Sequence, residues 1–408
     1  MLGILIQNKF CSISWILVAQ RGNIQIQYHA MVQLLKKADV TGERGAGSLD
    51  LLTAAAQVQE LQDSLKSTVE TLHQQRILNH HLQLQLSATS QHCTDPEPEF
   101  TVEKILQQEK KNPGLFLYYT NLKYCTFVTL LEFLTSQQLP EYAKKRKEIK
   151  RMNAASQLLL TLMRLRHNFG LKDLAARFCI SKQSVSEVFN AWVDHMYMML
   201  GAVPIWPHRD HVISNMPLQF RSEFPRTIAI VDCTELKTQK PSSLKLQSQM
   251  YSDYKSGTTL KGLVACDPMG NIVFVSELFT GSMSDVVITQ KSGFYKLLRQ
   301  LLEAGYILQG DCIMADKGFT IESDLKSLGL HLNLPSFVSS GTQMPQSDVD
   351  LTQKIAAHRI HVERAIRKIR TFKIVSHCIP TSIFGSINKV WTVCALLTLW
   401  QDPVLKKK

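Results

Sequence analysis

The chain predicts an α/β fold, a mixed β-sheet flanked by helices, preceded by an all-helical region and a candidate short coiled coil. Two observations carry that expectation. Short apolar runs rich in β-branched residues, Ile228–Val231 and Cys312–Ala315, read as strands buried on both faces. From Thr227 onward the order reads strand, strand, strand, helix, strand, helix, strand, helix, with the second and third strands joined as a hairpin. In such a sheet the strand after the first crossover helix lies parallel beside the first strand.

Composition sets the outer limits. A chain of 408 residues with 45% hydrophobic content has room for two or three domains. A net charge of +12 and a pI near 9.2 point to an anionic partner, nucleic acid before membrane. The 9 cysteines are scattered without a CxxC pair, which argues against a zinc ribbon or a disulfide framework and for a reducing, intracellular compartment. Met1–Val18 is apolar, but Asn8 and Lys9 interrupt it and no basic segment precedes it, so secretion is not expected. No later run is long and apolar enough for a membrane span.

Residues 1–48 carry no readable pattern. Within 49–90, Leu51, Val58, Leu65 and Leu72 recur at heptad spacing until Asn79 breaks the phase. About three heptads is near the lower limit for a coiled coil. Two readings stay open: one long amphipathic helix against its own protein, or a homo-oligomer formed through 51–72. His80, His81, His92 and Cys93 match no tetrahedral metal spacing and read as solvated. Residues 91–152 begin with the linker-like TDPEPE and continue as a helical region ending in the cationic patch Lys144–Arg151.

Residues 153–200 fit a helix-turn-helix. Ala154–Arg166 reads as a helix, and LKDLAARFCISKQSVSEVFNAW supplies the next two. Leu174 and Ala175 would pack the first of these, Phe178 and Ile180 flank the turn, and Val185 and Val188 anchor the second; Cys179 stands where such turns usually carry glycine. The second helix is expected to expose Lys182, Gln183, Ser184, Ser186, Glu187 and Asn190 toward base edges and phosphates. A helical hairpin that only buttresses the next domain is the plainer alternative.

After a connection at 201–226, residues 227–400 form the α/β domain. Asp267-Pro268-Met269-Gly270 has the residues a type I turn prefers. Val286–Leu302 reads as one helix capped by Ser284 or Asp285. The strand Cys312–Asp316, a helix at Glu322–Leu328 and a strand at His331–Leu334 follow. In the next helix Ile355, Val362, Ile366 and Ile369 form a buried seam, and a last apolar helix spans Ile387–Trp400.

Asp232 and Asp316 end two apolar runs that are expected to be neighbours. Their like charges repel, and a divalent metal makes the arrangement tolerable. Glu363, on an arginine-rich helix, would be the third ligand, and an all-oxygen set favours Mg²⁺ or Mn²⁺. Arg359 and Arg367 flank Glu363 at four-residue steps. They form either an exposed ion-pair ladder or, with Arg370, a contact to DNA phosphate.

IVDCTE, MADKGF and RIHVERAIRKI, with YSDYKSGTTLKGLVACDPMG and FVSELFTGSMSD between them, resemble the blocks of PIF/Harbinger-type transposases. The resemblance runs from Met152 to Trp400. It implies an RNase H-like DDE nuclease domain whose acidic triad falls on Asp232, Asp316 and Glu363. It also implies metal-dependent hydrolysis of DNA at an element end, strand transfer by the freed 3′-hydroxyl, work in the nucleus, and a separate Myb-like partner protein. Asp285, in GSMSD, is a regular feature of relatives and is read as a helix cap with metal ligation as its alternative. The THAP zinc finger that relatives often carry has no matching pattern before residue 100. Two competing functions are a domesticated DNA-binding or scaffolding protein without catalysis, and an RNase H-type RNA hydrolase.

Overall fold

The computed structural model describes residues 67–68, 70–72, 74–79, 82, 100–136, 149, 152–335 and 345–402. The first heptad positions, the cationic patch apart from Ile149 and the loop at 336–344 lie outside these. Three helices open the region from residue 100: α1 (Val102–Glu109), α2 (Leu115–Thr120) and α3 (Tyr124–Thr135). The chain divides into two compact units. The first comprises Met1–Glu97 and Tyr124–Ser136. Its described residues between 67 and 82 are helical, and Arg76 lies 3.5 Å from Glu132 on α3. The second unit, Pro98–Lys123 and Gln137–Lys408, contains everything discussed below.

The helix-turn-helix follows as α4 (Ala154–His167), α5 (Leu171–Phe178) and α6 (Lys182–Gly201). Leu174, Phe178, Val185 and Val188 are buried, as the pattern requires. Asn153 caps α4 by accepting from the Ser156 N–H at 2.8 Å, and Ser181 caps α6 by accepting from the Ser184 N–H at 3.1 Å. Cys179 takes the left-handed conformation expected of a glycine, with φ of +51°. The Ile180 N–H then closes the end of α5 on the Ala175 carbonyl at 3.1 Å. A side chain held left-handed costs about 1–2 kcal/mol, part of which glycine returns through a freer unfolded chain. Cys179→Gly is therefore expected to stabilise the protein by roughly 0.5–1 kcal/mol, read as a higher melting temperature; a lower one would show that the thiol side chain does more for the turn than its backbone costs.

The connection at 201–226 is more ordered than its composition suggests, for it carries two short helices, α7 (Arg209–Asn215) and α8 (Leu218–Glu223). Arg209 Nε donates to both oxygens of the buried Asp311, at 2.8 and 2.9 Å, fixing α7 to the turn just before Cys312.

The α/β domain runs β1 (Thr227–Lys237), α9 (Leu244–Met250), β2 (Tyr251–Ser252), β3 (Gly257–Cys266), β4 (Ile272–Val275) and β5 (Phe279–Thr280). It continues as α10 (Asp285–Lys291), α11 (Phe294–Glu303), β6 (Cys312–Met314), α12 (Glu322–Ser327) and β7 (His331–Asn333). It ends with α13 (Gln346–Ile369), α14 (Lys373–Ser376) and α15 (Ile387–Leu397), the last passing into a 3-10 turn at Thr398–Trp400. The sheet order is β2-β3-β1-β6-β7, with β4 and β5 also on β3. β3 pairs antiparallel with β1, whereas β6 lies parallel to β1 and β7 to β6, which is the mixed arrangement anticipated.

Several element boundaries differ from expectation; β6, for one, ends at Met314, two residues short of Asp316. β1 does not end at Asp232 but continues to Lys237 along β3. The polar stretch after it contains α9 and β2. The helix expected over 286–302 is two helices, broken where Gly293 turns left-handed at φ of +83°.

Alternation along the strands sorts the core. Val231, Leu263 and Ala265 join Ile288, Phe294 and Leu298 of α10 and α11 on one side. On the other, Gly262 lies under Trp391 of α15: a Cβ there would meet the indole at 3.2 Å.

The β3–β4 turn is closed by Asp267, whose Oδ1 accepts from the N–H groups of Met269 (2.9 Å) and Asn271 (2.8 Å). Burial pushes its carboxyl up to about 6, despite those hydrogen bonds. A folded pKa above the unfolded one gives stability that is complete below pH ~4 and is lost as pH rises through ~6. Asp267→Asn is thus expected to reduce, though not abolish, a fall in melting temperature between pH 4 and 7 that the natural chain shows. An unchanged pH profile in that variant would exclude Asp267 as its source.

Candidate metal and DNA site

The parallel pairing of β1 with β6 sets the site. Ile230 is opposite Met314, and two residues on, Asp232 and Asp316 leave the two strands together. Asp232 sits where β6 has ended while β1 continues on β3, so it borders an opening in the sheet. Both aspartates meet one side chain of α13: Arg359 Nη1 is 3.0 Å from Asp316 Oδ1, and Nη2 is 3.9 Å from Asp232 Oδ1. The Arg359 side chain is 12% exposed and its Nε has no hydrogen-bond partner. Arg359 therefore faces the aspartates and forms no ladder with Glu363. Burial pushes the Asp232 carboxyl up to about 6; Arg359 pulls it back, and Asp285 and Asp316 add to the rise.

Glu363 is exposed and is not drawn into this pair. Among the described residues no three His, Cys, Asp or Glu side chains gather closely enough to hold a metal ion. Two of the three expected ligands converge; the third does not join them. Its placement follows from the helix period. Arg370 Nη2 donates at 2.7 Å to both Thr234 Oγ1 and the Glu235 carbonyl, and Arg359 reaches Asp232, so both mark the face of α13 that meets β1. At about 100° per residue, Arg359, Glu363 and Arg370 fall within roughly 40° of one another around the axis. Glu363 thus lies on the β1-facing stripe, one turn beyond the guanidinium.

These contacts revise the arginine assignments. Arg359 is held by aspartates and Arg370 ties the end of α13 to β1, so neither is free for phosphate in this state. Arg367 is exposed. α8 braces the same helix from outside: His358 meets the Phe220 ring edge-on at 4.3 Å, and its Nδ1 lies 3.6 Å from Glu223. Burial, then the nearby Arg364 and His358, lowers His361 to about 4.

Asp285 has another role than capping. Ser284 is the cap, accepting from the Val287 N–H at 3.4 Å, and Asp285 Oδ1 lies 2.8 Å from Lys261 Nζ. Lys261 pairs across the ladder with Glu235, 3.9 Å away at the nearest charged atoms. Burial pulls the Lys261 ammonium down, but the Asp285 hydrogen bond and the surrounding acidic groups raise it overall. This ion cluster was missed from the sequence, since only the β1–β3 register reveals that Glu235 and Lys261 are opposite.

In the helix-turn-helix, Lys182, Gln183 and Asn190 of α6 are exposed and Ser186 and Glu187 half-buried. Ser184 is not available to DNA: it is fully buried, its hydroxyl 2.9 Å from that of Ser181. Capping the helix at Ser181 turns its first-turn partner inward.

A mixed sheet in this order, flanked by helices, with aspartates leaving two adjacent parallel strands, defines an RNase H-like α/β fold with an upstream helical module. Residues 231–398 match the family described as DDE superfamily endonuclease, and residues 150–202 match the helix-turn-helix of DDE superfamily endonuclease. Both matches point to a DDE superfamily, transposase-type endonuclease domain with that superfamily's helix-turn-helix before it. No curated protein and no solved structure matched the chain. Among the described residues no helix is long and apolar enough to cross a membrane.

The residues suit a divalent cation. Two carboxylates share one cationic group across 3.0 and 3.9 Å, and the group between them marks where positive charge is held. Every candidate donor is a hard oxygen, which fits Mg²⁺ or Mn²⁺.

Proposed function

We propose that the chain is a metal-dependent DNA endonuclease and transposase of the Harbinger type, with Asp232, Asp316 and Glu363 as its acidic triad. The convergence of Asp232 and Asp316 on one guanidinium, inside the family-matched domain, carries the reading. Asp232 and Asp316 would hold the divalent ion, with Glu363 reaching in from the facing stripe of α13. A bound pair of such ions supplies charge neutralisation at the attacking and leaving oxygens. The chain itself positions the pieces. Arg370 and the buried seam of α13 fix the helix against β1. Lys182, Gln183, Ser186 and Asn190 orient DNA from α6, and Arg367 offers a cation beside the scissile backbone. With a divalent ion held by Asp232 and Asp316, the Arg359 guanidinium would be available to phosphate. On the same reading the protein works in the nucleus, joins a second copy through 51–72 and uses a Myb-like partner.

The test is a supercoiled plasmid incubated with purified full-length protein. Nicked or linear product is expected with Mg²⁺ or Mn²⁺ and none with chelator. Arg359 between the aspartates is the observation that favours the alternative, a DNA-binding scaffold without catalysis. Plasmid bound but never cut, at any divalent concentration, would establish that alternative.

A further inference from the structure

Five residues beyond Asp232, β1 ends in a cleft that the triad does not use. Its volume is about 770 Å³, and Lys237, Lys240 and Lys255 line it together with Gln247, Tyr251 and Cys378. No carboxylate is among its lining residues. The three lysines are exposed, and none has an acidic partner among the described residues. Three like charges around one polar hollow repel one another, and a polyanion relieves that repulsion. The aromatic component also suits a nucleic acid. Tyr254, next to the cleft, is 83% exposed, and Lys255 Nζ lies 4.4 Å from its ring centre. Tyr251 of the cleft wall is 46% exposed. Lysines that track a backbone beside exposed tyrosines that can stack on bases are the elements of a single-strand path.

We infer that this cleft binds the phosphodiester backbone of the DNA strand that runs away from the scissile position, a reading that rests on the nuclease function proposed above. The placement is what selects this ligand. Lys237 and Asp232 belong to the same continuous strand, and five steps at about 3.4 Å put them roughly 17 Å apart. At the roughly 3.4 Å rise per nucleotide of a duplex strand, that separation corresponds to about five nucleotides, and to fewer where the strand is single and extended. β3 rigidly pairs this whole length, from Asp232 opposite Val264 to Lys237 opposite Thr259. A strand seated on the lysines is thereby held at a fixed distance from the aspartates.

The experiment measures DNA binding by fluorescence anisotropy with the full-length protein, in chelator so that no cleavage occurs, across a salt series. The probe is a labelled duplex with a single-stranded extension. Three proteins are compared: the natural chain, Lys237→Ala/Lys240→Ala/Lys255→Ala, and a control that removes three exposed lysines elsewhere, Lys291→Ala/Lys296→Ala/Lys326→Ala. Each phosphate contact contributes about 0.9 to the slope of log affinity against log salt, so the cleft variant should lose roughly 2 to 3 from it and the control almost none. DNA should also slow alkylation of Cys378 by a maleimide, followed by peptide mass mapping, because the exposed thiol lies in the cleft wall. Equal slopes for the two variants, or a Cys378 rate indifferent to DNA, would overturn the assignment. The outcome is separable from the nuclease reading: an Asp232→Asn protein that cuts as well as the natural chain refutes the triad while leaving these slopes unchanged.

Discussion

Asp232→Asn is expected to lower metal-dependent DNA cleavage about a thousandfold or more and, in chelator, to raise the melting temperature. The first effect follows from removing a charged ligand from a site that must neutralise charge in the transition state, about 4 kcal/mol in rate terms. The second follows from what Asp232 does without metal. It is a largely buried carboxylate beside Asp316 and Asp285, compensated mainly by an Arg359 that already sits closer to Asp316. Replacing it by an isosteric amide removes a buried like charge and leaves the 3.0 Å Arg359–Asp316 pair in place, so a gain on the order of 1 kcal/mol is expected. Glu363→Gln separates the two effects. It should lose cleavage comparably, because Glu363 stands one turn from the guanidinium, but leave stability within about 0.5 kcal/mol, because it is exposed. Cleavage and melting curves on both variants decide the matter. Undiminished cleavage in either protein removes that residue from the triad. A destabilised Asp232→Asn would mean that the carboxylate holds the fold together rather than waiting for a cation.

How much of this was legible beforehand varied with the range of the interaction. The β1 and β6 runs, the Asp267 turn and the α13 seam are set by local pattern, and each forms where its residues predict, although β1 runs on past Asp232 and β6 stops two residues before Asp316. The parallel neighbourhood of Asp232 and Asp316 followed from element order alone. Pairings that depend on register did not follow. Nothing local says that Glu235 faces Lys261, or that Arg359 turns to Asp316 rather than to Glu363 four residues away on its own helix. Ser184 shows the same limit on a smaller scale: its polarity suggested a surface position, yet one capping hydrogen bond at Ser181 decided its direction. Cys179 marks the reverse case, a residue that breaks the usual glycine preference while the turn keeps its geometry.

Trp391→Ala is expected to cost about 3–5 kcal/mol, a large share of the roughly 5–15 kcal/mol that holds a folded domain. The indole is fully buried, donates through Nε1 to the Ser276 carbonyl at 3.0 Å, and rests on Gly262, where even a methyl group would press into it. Truncation leaves a cavity and an unpaired carbonyl together, and neither β3 nor α15 can close it by a local shift. The consequence reaches beyond the sheet, because α15 packs on α6 of the helix-turn-helix as well as on β4. Asn388 on the same helix accepts from the Leu278 N–H at 2.9 Å, and Lys389 meets Asp194 of α6 at 2.8 Å. The last pair is solvent-exposed on both sides, so Lys389→Ala should cost only a few tenths of a kcal/mol. If α15 is what joins α6 of the helix-turn-helix to the sheet that carries Asp232 and Asp316, Trp391→Ala should lower the melting temperature by roughly 10 °C or more and, on the proposed function, weaken DNA binding together with cleavage. Trp391→Phe, which keeps a ring and loses the N–H, should fall between. Loss of cleavage with DNA affinity and melting temperature unchanged would instead show that the two modules are held together without this helix.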